Sequence, residues 1–336
     1  MDGYLMKTYP LPRVSLGHFP TPLEEMPRLA RHLGIARLLV KRDDQTGLAD
    51  GGNKTRKLEF LVADALAQGA DTLVTAGAAQ SNHCRQTAAA AARMGLACVL
   101  VLGGAPPTEP PTGNLLLDIL LGAELRWGGP YRRGEQLPQV MEALRAAGRH
   151  PYLIPYGGSN ALGAAGYAQA MQELAGQCPE ELPLAAIDRI VIASSSGATH
   201  AGLTVGAHMV GYPGQIIGIA IDKGEAPDVP YVQRLATIAN QTAALLGIAR
   251  TFTPQDFIVN RDYLGGGYGV VGALEREAIL LTARLEGLLL DPVYTGRAMG
   301  GLVDLIQRRV IGPKENVLFW HTGGMPALFA YAQALV

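Results

Sequence analysis

Two dense segments carry the side chains able to do chemistry. Gly51-Gly52-Asn53-Lys54-Thr55-Arg56-Lys57-Leu58-Glu59-Phe60 sets a lysine just after a Gly-Gly turn, at the start of a helix-like run. Thr75-Ala76-Gly77-Ala78-Ala79-Gln80-Ser81-Asn82-His83-Cys84-Arg85-Gln86-Thr87 sets Ser, Asn and His where a strand runs into a helix. A lysine amine at such a junction can form a Schiff base with an aldehyde. The cofactor that needs one is pyridoxal phosphate, whose ring acts as an electron sink. A lone lysine at a helix start is ordinarily a solvated side chain, so Lys54 gains meaning only from its company.

A phosphate needs a cradle of backbone N–H groups and hydroxyls. Ser194-Ser195-Ser196-Gly197-Ala198-Thr199-His200-Ala201-Gly202 follows an apolar strand-like run and opens a helix. Such a loop aims several N–H groups at one point, and the helix dipole favours an anion there. Three serines, a glycine and a threonine exceed what a simple N-cap requires. Tyr268 lies in the glycine-rich Gly265-Gly266-Gly267-Tyr268-Gly269-Val270, where little core surrounds it, and Tyr294 in Leu290-Asp291-Pro292-Val293-Tyr294-Thr295-Gly296.

The elements that must position these residues follow from pattern. Short β-branched runs alternate with Ala/Leu-rich runs. Strands are expected at 37–41, 72–75, 97–102, 190–193, 215–221 and 316–320. Helices are expected at 54–68, 82–94, 114–121, 136–147, 198–209, 228–246, 272–286, 296–309 and 326–334. This alternation predicts an α/β fold with right-handed βαβ units and a parallel sheet. Gly157-Gly158-Ser159-Asn160 marks a crossover between lobes.

The 336 residues suffice for two compact lobes, and 48% hydrophobic with 17% charged residues is a globular mixture. A net charge of −1 leaves no basic stripe for nucleic acid or an anionic membrane. No apolar run reaches the roughly 18 residues of a membrane span, and Met1 to Lys7 lacks the order of a signal peptide. A small-molecule partner in the cytoplasm is expected. Cys84, Cys98 and Cys178 are widely spaced and read as reduced thiols. The seven histidines show no metal-ligand spacing, so no metal is expected.

The Lys54 and Ser81–Thr87 segments together resemble the fold-type-II pyridoxal-phosphate enzymes of the D-cysteine desulfhydrase and 1-aminocyclopropane-1-carboxylate (ACC) deaminase family. The resemblance runs from Pro20-Thr21-Pro22-Leu23 to His321-Thr322-Gly323-Gly324. It implies a tryptophan-synthase-β-like fold of two open parallel-sheet lobes with the cofactor in the cleft between them. Residues 50–155 would form the smaller lobe, and 1–49 with 156–336 the larger. A homodimer acting on an amino acid is implied.

The resemblance also assigns roles. Lys54 would carry pyridoxal phosphate, and Ser196, Gly197, Ala198 and Thr199 would hold its phosphate. Asn82 would bond the ring hydroxyl, with Thr295 and Thr322 near the ring nitrogen. Ser81 would contact the substrate carboxylate or assist proton transfer, while Tyr268 and Tyr294 would donate or accept protons there. His83 would adjoin the substrate; D-cysteine desulfhydrases carry His there, whereas ACC deaminases tend to carry Gln. ACC deaminases also carry Glu where this chain has Thr295. A hydroxyl stabilises a pyridinium less than a carboxylate does, which suits loss of a good leaving group such as thiolate. The implied reaction converts D-cysteine and water to pyruvate, hydrogen sulfide and ammonia. ACC deamination, L-cysteate sulfo-lysis and non-catalytic binding of the cofactor remain as alternatives.

Overall fold

The computed structural model describes residues 11–222 and 229–336. The amino-terminal stretch read above for a signal peptide and the expected helix start at 228 lie outside the described residues.

The strands are β1 (Leu23–Glu25), β2 (Arg37–Arg42), β3 (Thr72–Ala78), β4 (Ala97–Gly103), β5 (Glu124–Trp127), β6 (Pro151–Leu153), β7 (Arg189–Ser194), β8 (Gln215–Ala220), β9 (Ile258–Asn260) and β10 (Asn316–His321). The helices are α1 (Pro27–Leu33), α2 (Lys54–Ala67), α3 (Asn82–Met94), α4 (Gly113–Leu120), α5 (Leu137–Ala146), α6 (Ala161–Gln177), α7 (Ala198–Val210), α8 (Tyr231–Leu245), α9 (Ala273–Glu286), α10 (Thr295–Gln307), α11 (Ala327–Ala330) and α12 (Ala332–Leu335).

Among the described residues the strands form two sheets, in the orders β1-β2-β10-β7-β8-β9 and β5-β4-β3-β6. Parallel sheets are covered on both faces, so their strands read as continuous apolar runs. Leu73 and Val74 of β3, Ile190 to Ile192 of β7 and Val317 to Trp320 of β10 are all solvent-free. The chain is thus the α/β fold with parallel sheets that its alternation predicts.

The structure departs from the expectation in several places: the short strands β1, β5, β6 and β9 and the helix α1 are additional elements. β1 pairs antiparallel with β2 and sits at the sheet edge. The helix expected over 326–334 breaks at Tyr331, which leaves the helical region (φ −114°, ψ 16°) while its ring packs against the core of the larger sheet. The 17-residue helix α6 was not anticipated at all. Its alanines and glycines carry no two-sided pattern because both faces are covered. Ala164, Ala165 and Ala168 meet Ala198, Ala201 and Val205 of α7, while Tyr167, Met171 and Leu174 meet Leu39, Ile190 and Trp320 of the larger sheet.

A buried polar network pins the first turn of α2, where Lys54 sits. Arg56 donates to Asp43 from Nε at 2.9 Å and Nη2 at 2.8 Å, and to Glu173 from Nη1 at 2.9 Å. Asp43 Oδ2 also accepts from Tyr167 Oη at 2.7 Å and Trp320 Nε1 at 2.8 Å. Lys41 Nζ closes the network on Glu173 at 2.5 Å. Thus the Asp43 carboxylate, just after β2, is bonded by α2, α6 and β10 together, a pattern that rigidifies because every member is satisfied.

Candidate active site

The two sheets turn the ends of β3, β7 and β10 towards one cavity. Its wall includes Asn53, Lys54, Ser81, Asn82, His83, Tyr156, Ser194 to Gly197, Thr199, Tyr294 and Thr322. Most of the residues singled out from the sequence therefore converge, although they come from positions 53 to 322.

The Gly51-Gly52 turn works through close approach. Gly52 has φ +126°, and a Cβ there would stand 2.2 Å from Gln86 Nε2. The next residue, Asn53, ties three elements together. Its N–H donates to Thr322 O at 3.0 Å and its Nδ2 to Thr199 Oγ1 at 3.1 Å, while its Oδ1 accepts from Lys54 Nζ at 2.9 Å. Burial lowers the Lys54 pKa to about 8; the Asp291 carboxylate opposes that shift and Arg85 adds to it. Among the described residues, Lys54 is the only lysine in the cavity wall. Lys57 is buried and donates to Gly157 O at 3.1 Å.

Ser81 caps α3 by accepting from Cys84 N at 3.2 Å, and also faces the cavity. His83 lies in the wall with its charge suppressed. Burial first, then Lys54 and Lys57, hold its pKa well below the ordinary value. Thr75 Oγ1 gives its proton to Ile154 O at 2.9 Å, so His83 Nε2 must donate to Thr75 at 2.8 Å. His83 is a neutral wall residue in this arrangement.

At the serine loop, α7 starts at Gly197 without a side-chain cap. Ser159 Oγ accepts from Ala198 N at 3.3 Å and donates to Ser196 Oγ at 2.7 Å. Ala198, expected in the cradle, thus gives its N–H to Ser159, which the sequence marks only as part of the crossover between lobes. Tyr294 faces the cavity, and Tyr268 stands behind it, Oη to Oη at 2.7 Å. Arg132 stacks on the Tyr268 ring at 4.3 Å and donates to Tyr156 Oη at 3.1 Å. Tyr156 and Arg132 were also missed, because no local pattern marks them.

Thr295 is buried and absent from the wall. Its Oγ1 donates to Asp291 Oδ1 at 2.8 Å and accepts from Asp291 N at 2.7 Å. Both its proton and a lone pair are thus engaged by Asp291. The reason is local: Asp291 organises the turn that leads into α10, taking the N–H groups of Val293, Tyr294 and Thr295 at 2.7–3.0 Å. Among the described residues no cluster of His, Cys, Asp or Glu could hold a metal, and no helix is long and apolar enough to cross a membrane.

An α/β fold with a desolvated lysine facing a Ser/Gly/Thr helix start across a cleft defines a pyridoxal-phosphate enzyme. The chain belongs to the pyridoxal-phosphate dependent enzyme family, whose model matches residues 14–323. It is 45% identical over 325 residues to a D-cysteine desulfhydrase of Klebsiella pneumoniae (strain 342), covering 95% of this chain and 96% of that protein. A D-cysteine desulfhydrase of Salmonella newport (strain SL254) is 46% identical over the same shares. A crystal structure of an ACC deaminase homologue superposes with a TM-score of 0.87 at 38% identity, covering 97% of this chain and 96% of that one. Threonine deaminase isoform 2 of Solanum lycopersicum shares the fold, with a TM-score of 0.64 at 16% identity, covering 94% of this chain and 82% of that one.

The residues present fit the cofactor. Apart from the Ala198 N–H, which Ser159 Oγ takes, the α7 start leaves N–H groups for a phosphate. Gly157 (φ +66°) makes room beside it, since a Cβ there would stand 2.3 Å from Ser196 Oγ. One consequence is measurable. Only the neutral amine attacks an aldehyde, so capture of pyridoxal phosphate by the apoprotein should accelerate as pH rises through about 8 and then level off. A rate still climbing at the ordinary lysine value would show that Lys54 is not desolvated; stopped-flow absorbance reads it.

Proposed function

We propose that this chain eliminates hydrogen sulfide from D-cysteine, consuming one water and yielding pyruvate and ammonia. The observation that carries the reading is the 45–46% identity to D-cysteine desulfhydrases along 95% of the chain. Bound pyridoxal phosphate supplies an aldehyde carbon for Lys54 and a ring that accepts electrons released at the substrate Cα.

The chain's own groups do the rest. Ser196, Gly197 and Thr199 hold the phosphate, with Ala198 beside them giving its N–H to Ser159 Oγ, and Asn82 and Thr322 hold the ring. Ser81, with the N–H groups opening α3, receives the substrate carboxylate, and His83 shapes the wall beside it. Lys54 Nζ takes the Cα proton, a task its lowered pKa suits near neutral pH. Tyr294, backed by Tyr268, gives its hydroxyl proton to the departing sulfur. No direct contact is proposed for Thr295. Residues 50–155 are taken as a smaller lobe set between two parts of a larger one, and the β5-β4-β3-β6 sheet falls within it. By the family resemblance the protein is proposed to act as a cytoplasmic homodimer.

Parallel assays on D-cysteine, L-cysteine, L-cysteate and ACC test the substrate. Equal release of sulfide and pyruvate, fastest from D-cysteine, is expected. Faster deamination of ACC would favour the second reading, which rests on the 38% identical ACC deaminase homologue. A purified protein with no visible absorption after incubation with pyridoxal phosphate would end both.

The phosphate assignment has its own test. Thr199 Oγ1 accepts from Asn53, so its proton is left for the phosphate. Thr199→Val deletes one hydrogen bond to a charged group, worth about 1.5–3 kcal/mol. Cofactor affinity should therefore fall by roughly 10- to 150-fold. An unchanged dissociation constant would put the phosphate elsewhere.

A further inference from the structure

The turn that opens α3 is joined to the first turn of α4 by hydrogen bonds whose direction is fixed at one end. The Gln80 main-chain carbonyl can only accept. Asn114 Nδ2 donates to it at 3.0 Å, and the same nitrogen donates to Asn82 Oδ1 at 2.8 Å. Asn114 Oδ1 has no partner, and the reversed amide would set an oxygen against two acceptors. Asn82 must therefore present its oxygen to Asn114. Its Nδ2 is left over as a donor, and among the described residues no acceptor meets it.

Asn114 is itself held from a second direction. Its main-chain N–H donates to Gln80 Oε1 at 2.8 Å, and Gln80 Nε2 donates to Thr112 O at 2.9 Å. Gly113 between them has φ +61°, and a Cβ there would lie 2.5 Å from Gln80 Oε1. Asn114 is solvent-free and outside the cavity wall, whereas Asn82 is in it. The clasp meets the cavity wall directly at the Asn82 side chain, and through the main chain at the Gln80 carbonyl that precedes Ser81.

We propose that Asn114 is a positioning residue that fixes the polarity of the Asn82 amide, holding Asn82 Nδ2 as a hydrogen-bond donor to the ring oxygen of bound pyridoxal phosphate. The proposal rests on the reading that Asn82 meets the cofactor at that oxygen. A fixed donor favours the deprotonated form of the oxygen it faces. An amide free to turn would present donor and acceptor in alternation and lose that preference.

The test is a double-mutant cycle read by cofactor binding and by spectrum. Asn114→Leu keeps the branched heavy-atom outline and removes the side-chain donors; Asn114→Ala is the second variant, and apoprotein thermal midpoints are recorded alongside. Each is expected to weaken pyridoxal phosphate binding by about 3- to 10-fold, the loss of one ordinary hydrogen bond. Each should also raise the pH midpoint of the bound cofactor's visible absorption change, which a purely structural role would leave in place. In an Asn82→Ala background the Asn114 substitutions should change the dissociation constant by less than about twofold. Equal losses in both backgrounds, or an unmoved pH midpoint, would overturn the proposal. If Asn82→Ala weakens binding and the Asn114 variants do not, the clasp alone is overturned. If Asn82→Ala binds the cofactor as the wild type does, the assignment of Asn82 falls and the clasp with it.

Discussion

Lys54→Ala is expected to give a folded protein that no longer holds pyridoxal phosphate covalently and has lost elimination activity by at least about 10²- to 10⁴-fold, the contribution of a positioned general base. The argument is geometric before it is chemical. Lys57, one turn further along α2, is buried and spends its amine on Gly157 O. Lys41 is solvent-free and paired with Glu173. Neither lines the cavity, so neither can take over. Borohydride reduction of the wild-type holoprotein followed by peptide mapping should label Lys54, and label on Lys57 or Lys41 would end the assignment. The fold should not suffer. Burial opposes the charged form of this lysine, so its removal relieves a cost, and the apoprotein thermal midpoint should hold or rise.

The largest expected effect on stability comes from Arg56→Met. Arg56 stands two residues after Lys54 and neutralises Asp43, which has no exposure to solvent. Removing one partner of a buried pair leaves an uncompensated charge and costs about 3–5 kcal/mol. The pH dependence identifies the cause. Burial alone would raise the Asp43 pKa, but the Arg56 guanidinium, with hydrogen bonds from Arg56 and Tyr167, brings it down to about 2. A carboxylate depressed in the folded state contributes stability above its ordinary pKa and loses it as pH falls towards the folded value. Without Arg56, burial prevails and Asp43 takes up a proton in the fold. The gap between wild type and variant should therefore narrow as pH falls. Urea unfolding of the two apoproteins at equal concentration, near neutral pH and at about pH 4, measures it. A gap independent of pH would mean that the guanidinium contributes packing and not charge.

The sequence alone carried the fold class and most of the cavity. Parallel strands buried on both faces must be continuous apolar runs, so β3, β7 and β10 were legible without their partners. Lys54, Ser81, Asn82, Ser196, Thr199 and Tyr294 were legible too, because each lies beside a glycine turn or a helix start, and those local signals survive in one dimension. What escaped had no local signal. Helix α6 hid because burial on two faces erases amphipathic periodicity. Tyr156, Arg132 and Asn114, and the contact of the crossover residue Ser159 with the serine loop, hid because they depend on partners far away along the chain. Thr295 shows the limit from the other side. Its place in the sequence suggested a ring contact, but whether its hydroxyl faces the cavity or Asp291 is a matter of side-chain direction at a helix start. Only the packed structure, with Asp291 drawing three backbone N–H groups and that hydroxyl to itself, decided it.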